Sequence, residues 1–202
     1  MNQLHLFDQV AAEVGRRLPV PWLDVPNTVW ADGLPVEGYL IRGALFSPDR
    51  VHRYAYVRTW DARRSLLVVV ALNPSTADEN APDPTVARLE VRARALGHGG
   101  LVVLNLFAFR STDPGGLRTC SDPVGPMNDE VLHRFAVSGF LLAAWGTHGV
   151  LLGRNARVIE LLADVDVHAL RLTKGGHPEH PLYLPYALTP FLWRPACPST
   201  KP

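Results

Sequence analysis

The stretch Leu66-Leu67-Val68-Val69-Val70-Ala71-Leu72 decides the fold. An unbroken apolar run rich in β-branched residues predicts a strand that is buried on both faces, as in a parallel sheet covered by helices. Further apolar segments at residues 101–104, 140–145 and 167–172 predict three more strands of the same kind. Residues 54–60 predict an additional strand at one edge of the sheet.

Helical periodicity fills the intervals between these strands. Asp83 and Pro84 offer an N-cap and a proline at the first helical position, and Gly97 a C-terminal stop, around Val86, Leu89, Ala93 and Leu96. Further helices are predicted from Pro126 and over residues 154–163. The sequence therefore predicts the α/β class, as a three-layer α/β/α sandwich with a mainly parallel four-stranded central sheet.

The chain of 202 residues fits one main domain with a smaller N-terminal segment. We expect residues 1–47 to form an N-terminal arm, with a helix at 6–18, packed on the main domain by Trp22 and Trp30. Residues 48–194 are predicted to be the α/β domain, and residues 195–202 a C-terminal tail.

Charge and cysteine content exclude several classes of protein. Twenty Lys and Arg against nineteen Asp and Glu give a net charge of +1, which argues against a polybasic surface but leaves room for a local basic cleft. Cys120 and Cys197 lie far apart, so a four-thiolate zinc or iron–sulfur site is excluded. The longest clean apolar run is too short for a membrane span. We expect a soluble, reduced, cytoplasmic monomer without a membrane partner.

Polar or glycine-rich segments follow each of the four buried strands. In open α/β sheets the ligand crevice forms outside the carboxyl ends of the strands. The segments that follow the predicted strands are residues 73–78, 105–110, 146–149 and 175–183. Their convergence predicts a ligand site at this end of the sheet.

Two asparagines stand at the tips of predicted strands. Pro74 restricts Asn73 to extended geometry, so its amide is projected in a set direction towards a water or a base edge. The alternative for Asn73 is a turn capped by its own side chain. Asn105 interrupts an apolar stretch and needs several partners, which either a bound base edge or the neighbouring backbone would supply.

The residues after Asn105 leave two interpretations open. Phe107 and Phe109 would stack on a base or belong to the core, and Arg110 would hold a phosphate or form a surface ion pair.

A proline-bracketed loop carries His177 and His180. They could bind zinc together with an acid such as Asp78 or Glu179, but their spacing lacks a recognisable third ligand. An imidazole that donates a hydrogen bond to a developing anion fits the loop better. We therefore expect no metal and no cofactor. Phosphate-binding, dinucleotide-binding and serine-hydrolase motifs do not occur in the sequence.

Several motifs together resemble a bacterial domain family of unknown function, DUF1643, over residues 53–184. The resemblance rests on Leu72-Asn73-Pro74-Ser75-Thr76-Ala77-Asp78, Asp83-Pro84-Thr85, Asn105-Leu106-Phe107-Ala108-Phe109-Arg110, Ala144-Trp145-Gly146 and His180-Pro181-Leu182-Tyr183. The order of these motifs is also similar, more distantly, to that of the uracil-DNA glycosylase superfamily.

The glycosylase resemblance implies a fold like that of the superfamily and a role for each matching residue. Asn73 would position the hydrolytic water, and His180 or His177 would donate a hydrogen bond to the leaving base. Asn105 would read the base edge, with Pro74 and Phe107 completing the base site. The remaining matches would contact DNA: Ser75, Thr76 and Arg110 at phosphates, and Leu182 or Tyr183 in the gap left by the extruded base.

The sequence differs from the superfamily in its last motif. Either His177 or His180 is the equivalent of the superfamily histidine, and Glu179 between them would place negative charge near a phosphate path. No aromatic residue follows Pro74 closely to stack on an extruded base.

The first hypothesis is therefore a DNA glycosylase-like enzyme that flips a nucleobase, modified or not, out of single- or double-stranded DNA and hydrolyses its N-glycosidic bond. A non-catalytic nucleotide- or nucleobase-binding module is the alternative, followed by a metal-dependent hydrolase. In the DNA hypothesis, Arg88, Arg92 and Arg94 are expected beside Arg110 as a phosphate grip.

Overall fold

A computed structural model describes residues 25–113 and 115–193, in which eight strands form one sheet. The strands are β1 (Val29–Asp32), β2 (Ile41–Phe46), β3 (Arg53–Thr59), β4 (Leu66–Ala71), β5 (Gly100–Asn105), β6 (Gly139–Ala143), β7 (Val167–Ala169) and β8 (Phe191–Leu192). Their spatial order is β1-β2-β3-β5-β4-β6-β7-β8. The apolar run that begins at Leu66 therefore lies at the centre of the sheet as β4.

The sheet is mixed, and the prediction of a mainly parallel four-stranded sheet is wrong. Strands β5, β4, β6 and β7 pair in parallel. Strands β1, β2 and β3 extend the sheet beyond β5 in antiparallel pairings, and β8 pairs antiparallel with β7. Local hydrophobic patterning does not encode the direction of a neighbouring strand, so the antiparallel half was missed.

Strand β3 is an interior strand and not the edge strand expected at residues 54–60. It pairs with β2 on one side and with β5 on the other, and all seven of its residues are buried. Its two arginines, Arg53 and Arg58, are 1% and 2% exposed. Its second neighbour, β2, lies in the segment predicted to be a separate arm, so the sequence did not show that residues 54–60 have a partner on both sides.

Four helices accompany the sheet among the described residues: α1 (Pro84–Ala95), α2 (Gly116–Thr119), α3 (Asn128–Ala136) and α4 (Arg154–Leu161). The predicted start of α1 is confirmed, since the Asp83 carboxylate accepts a hydrogen bond from the Val86 N–H at 2.9 Å. Gly97 follows α1 in the left-handed conformation, with φ +81°. Short 3₁₀ segments occupy Thr147–Gly153 and Pro181–Tyr183.

Helices cover both faces of the sheet. Leu67 and Val69 of β4 pack with Leu89 of α1 on one face, whereas Val68 and Val70 pack with the residues of α3 and α4 on the other. This alternation follows from the two-residue period of a strand. The chain therefore leaves β4 towards one face and leaves β5 and β6 towards the opposite face, which opens a crevice at the carboxyl end of β4.

The predicted N-terminal arm contributes strands to this sheet. Strands β1 and β2 fall within it, and the Trp30 ring lies directly over Gly43, where any side chain would collide with it. The predicted helix at residues 6–18, Trp22 and the tail at 195–202 lie outside the described residues. Among residues 25–113 and 115–193, no helix has the length and apolar character needed to cross a membrane.

Candidate functional site

A cavity of about 420 Å³ opens at the carboxyl ends of the central strands. Its wall combines Asn73 after β4, Asn105 at the end of β5, Trp145 after β6, and His180 from the loop that follows β7. The three polar side chains among them come from segments far apart in sequence. They meet here because parallel strands end at the same edge of the sheet.

Asn73 has a fixed amide orientation. Its Nδ2 donates hydrogen bonds to the carbonyl oxygens of Ser111 at 2.8 Å and Pro74 at 3.1 Å. These bonds tie the end of β4 to the turn after β5 and leave Oδ1 as the acceptor available to a ligand or a water. The turn-capping interpretation thus accounts for the nitrogen of this amide but not for its oxygen.

Asn105 is 1% exposed, and its Nδ2 has no hydrogen-bond partner among the described residues. The Trp145 Nε1, on the same cavity wall, is likewise buried without a partner. An unsatisfied buried donor costs about 1–3 kcal/mol, so both donors are available to an acceptor in the cavity. A hydrogen bond also fixes the Asn105 backbone, because Asn128 Nδ2 donates to the Asn105 carbonyl oxygen at 3.1 Å.

The last loop is attached to the end of β6. Gly146 N–H donates to the Pro178 carbonyl at 2.8 Å, which brings His180 to the cavity. Gly146 itself has φ +71° and ψ −168°, a conformation essentially restricted to glycine. The Trp145-Gly146 pair therefore combines a cavity wall with the backbone turn that docks the loop.

His180, rather than His177, belongs to the cavity. The Leu182 N–H donates to His180 Nδ1 at 3.4 Å, so in the neutral imidazole the proton is on Nε2, which remains available as a donor. Burial lowers the pKa of His180, while Asp83 opposes this effect. His180 is therefore neutral at pH 7. His177 closes a turn with Thr173 and does not line the cavity.

Sequence reasoning missed two charged residues in the cavity wall, Arg53 and Asp83. Both are buried, at 1% and 8% exposure. Arg53 appears in the sequence as a charge at the start of an apolar strand, and Asp83 as a helix cap within one of the family motifs. An acidic cap is a common local feature, so neither residue signalled a ligand site without the fold.

A second, shallower depression of about 650 Å³ adjoins the cavity and shares Ser75, Ser111 and Thr112 with it. Thr76 and Arg110 lie in this outer groove. The Arg110 guanidinium lies 5.3 Å from the centre of the Phe46 ring. The predicted phosphate contacts Ser75, Thr76 and Arg110 are thus brought together on one rim.

Other predicted site residues lie elsewhere. Pro74 is buried and does not line the cavity. Phe107 is fully buried in the core. The Phe107 N–H donates to the Leu72 carbonyl, so the chain after β5 still runs beside the chain after β4. The Phe107 ring therefore has no free face on which a base could stack. Leu182 is half-buried and Tyr183 is 87% exposed on the 3₁₀ turn, both outside the cavity.

The expected phosphate grip of α1 arginines is wrong. Arg88 and Arg92 donate to backbone carbonyls of residues 184–188, and Arg94 pairs with Glu90 at 2.9 Å. These guanidinium groups hold the segment after the last loop against α1 or form surface pairs. Of the four arginines expected to bind phosphate, Arg110 is the one that borders the site.

No metal-ligating cluster supports the hydrolase hypothesis. Within the described parts of the chain, no three His, Cys, Asp or Glu side chains are close enough to hold a metal ion. Glu179 lines the cavity but forms a bidentate pair with Arg171, at 2.6 and 2.8 Å, which lowers the pKa of its carboxyl.

Comparison with protein families matches residues 53–182, more than half of the chain, to the family described as "Protein of unknown function (DUF1643)". Searches of curated proteins and of solved structures found no match. These comparisons do not show the more distant similarity to the uracil-DNA glycosylase superfamily. The matched residues include all the strand-end segments that form the cavity, and the chain belongs to the DUF1643 family.

Proposed function

We propose that the protein is a DNA glycosylase-like enzyme that hydrolyses the N-glycosidic bond of a nucleobase, modified or not, in DNA. The observation that carries the proposal is the meeting of Asn73, Asn105 and His180 in one strand-end cavity. The motif order shared with the uracil-DNA glycosylase superfamily supports the same conclusion. Such an enzyme would act in DNA repair, in the cytoplasm and without a cofactor.

The cavity suits a single flipped base. Its volume of about 420 Å³ is within the range of small-molecule sites. A glycosylase must extrude its target base from the stack and enclose it in a pocket of this kind. The unpartnered Nδ2 of Asn105 and Nε1 of Trp145 are donors, so they fit carbonyl oxygens or ring nitrogens on the edge of such a base.

The polar side chains can divide the chemistry between them. As the C1′–N bond breaks, positive charge develops on the sugar and negative charge on the base. Asn73 Oδ1 would accept a hydrogen bond from the attacking water, since the amide is fixed by Ser111. The Nε2–H of neutral His180 would donate to an oxygen of the departing base.

The outer groove supplies a path for the DNA strand. Arg110 and Thr76 would contact phosphates beside the flipped nucleotide, and Ser75 connects the groove with the cavity. The exposed Tyr183, on the turn next to His180, would fill the gap in the duplex, with Leu182 beside it. A single cleft of this kind is compatible with a net charge of +1.

A nucleobase- or nucleotide-binding module without catalysis is the second candidate. The observation that favours it is the use of Asn73 Nδ2 by backbone carbonyls, which gives this nitrogen a structural role in closing the turn. Such a module would bind free bases or nucleotides without turnover.

Excision of a base from DNA tests the proposal. The purified protein, in excess over a panel of base-modified single- and double-stranded oligonucleotides, should leave abasic sites that alkali converts to strand breaks. Asn73→Ala and His180→Ala should lose this activity. Matched controls are Asn155→Ala and His133→Ala, since neither residue lines the cavity and His133 is exposed. Tight binding of bases without any abasic product would instead favour the binding module.

A further inference from the structure

The cavity wall holds one fixed positive charge. Arg53, at the start of β3, is the only Arg or Lys among the described residues that line the cavity. Its side chain is 1% exposed, so water solvates it very little. A buried guanidinium normally requires a carboxylate or a full set of acceptors.

Arg53 has fewer acceptors than the other buried arginines. One terminal nitrogen donates to the Ala77 carbonyl, and Nε is buried without a partner. By contrast, the guanidinium of Arg58 reaches the carbonyls of Val57 and Glu79, and that of Arg92 reaches three or more carbonyls of residues 184–188. The Nε of Arg92 also lacks a partner, and the fourth buried arginine, Arg154, donates to the Leu106 carbonyl and pairs with Asp129. The Arg53 charge is thus the least satisfied of the four, and it lies in the cavity wall.

Charged neighbours limit which anion this charge can receive. Asp83 is an electrostatic neighbour of Arg53, and its carboxylate is committed to the Val86 N–H. Asp83 and Glu179 both line the cavity and would repel the localised, multiple charge of a phosphate more strongly than the single, delocalised charge of a nucleobase anion. A ligand that is neutral when it enters and becomes anionic only as a bond breaks avoids this repulsion at the binding step.

We propose that Arg53 is a further catalytic residue of this site, and that it binds the negative charge that the nucleobase acquires as it leaves the sugar. This inference rests on the proposed function. The C1′–N bond breaks with both electrons going to the base, and a water oxygen forms the new bond to C1′. The new hydroxyl keeps one water proton, and the other neutralises the base anion after release.

Several charged groups act on Arg53 from the surrounding elements. Asp78 and Arg110 act on it electrostatically along with Asp83, and the Tyr56 phenol, which lies under it, has a pKa raised to about 12 by burial. His180 is held neutral by burial. The test therefore varies the ionisation of the ligand at one fixed pH.

Binding of free bases provides the test. The probes are uracil, 5-fluorouracil and 5-nitrouracil, whose ring N–H groups are progressively more acidic while their shapes stay similar. Affinity for the wild-type protein at pH 7.5 should rise along this series, and by about tenfold or more from the first to the last, since a hydrogen bond to a charged group exceeds a neutral one. In Arg53→Met the affinity should no longer rise from uracil to 5-nitrouracil, and in Arg53→Lys part of the rise should remain.

The control is Arg118→Met, which removes an exposed arginine on α2. An Arg53→Met protein that melts cooperatively and still shows the wild-type increase overturns the role of Arg53, even if base excision is observed. Absence of binding by all three bases together with absence of excision overturns the proposed function itself. Excision rates for the same bases as leaving groups give a second readout, in which Arg53→Met should slow the poorest leaving group most.

Discussion

Replacing Arg53 by methionine is expected to stabilise the protein while it damages the site. Burial lowers the pKa of Arg53 to about 10, with Asp83 only partly opposing the effect. Since one pKa unit corresponds to about 1.4 kcal/mol, keeping this buried guanidinium charged destabilises the folded protein by about 3 kcal/mol. Methionine removes that cost and fills a similar volume, but leaves the Ala77 carbonyl without its donor, at a cost of about 1–2 kcal/mol. The expected net gain in unfolding free energy is about 1–2 kcal/mol.

Urea unfolding followed by circular dichroism measures this gain. For a domain of this size the midpoint should rise by about 0.5 M or more, with an unchanged slope. The difference should be constant from about pH 6 to about pH 9, where Arg53 is protonated in both the folded and the unfolded protein. Above about pH 10 it should shrink, because the folded wild-type protein releases the Arg53 proton before the unfolded chain does.

A loss of stability in Arg53→Met would contradict this prediction. An Arg53→Met protein that is less stable than wild type by about 2 kcal/mol would show that the guanidinium is a structural cross-link. The matched control is Arg53→Lys, which keeps a buried charge and should bring no comparable gain.

Three further predictions concern the cavity wall and its loop. Asp83→Ala should unfold about 1 kcal/mol more easily than Asp83→Asn in urea, because asparagine still caps the Val86 N–H, and equal stabilities would contradict the capping role. Gly146→Ala should lower the unfolding free energy by about 1–3 kcal/mol through backbone strain, and a thermal melt identical to wild type would disprove it. Because burial lowers the pKa of His180, unfolding titrations should show stability that is complete above about pH 6.5 and declines as the pH falls below it, and His180→Gln should reduce that decline.

The sequence predicted the central strands and α1 because their signals are local. The apolar run that begins at Leu66 requires burial on both faces, and Asp83 followed by proline specifies a helix start. Antiparallel pairing of β1, β2 and β3 is a long-range property, and a fully buried β3 has no alternation that would distinguish it from a parallel strand. The two-residue β8 is too short to give any pattern.

Some residues of the candidate site were also predictable from local sequence, whereas others required the fold. Asn73 and Asn105 were singled out because each follows a buried strand, and the topology then brings them to one cavity with His180. Phe107 was assigned to the base site on residue type alone, and the continued pairing of β5 with β4 directs it into the core. Arg53 comes from an antiparallel strand that was expected at the edge of the sheet and lies in its interior, so its place in the cavity wall required the fold.

In the proposed function, the adjacent groove would extend the site beyond a single base. Arg110, Thr76 and Ser75 share one rim with the cavity, whereas the arginines of α1 are held by backbone carbonyls. Phosphate contacts in the proposed DNA complex would therefore be few, and we expect the salt dependence of DNA binding to correspond to about one or two contacts rather than to a polybasic surface.

The most direct measurement is the mass-spectrometric quantification of free base and abasic strand after a single turnover on the oligonucleotide panel. We predict that at least one substrate gives free base and abasic strand in equal amounts, and that Asn73→Ala gives neither. Intact oligonucleotides across the whole panel, with enzyme in excess and the protein folded, would contradict it.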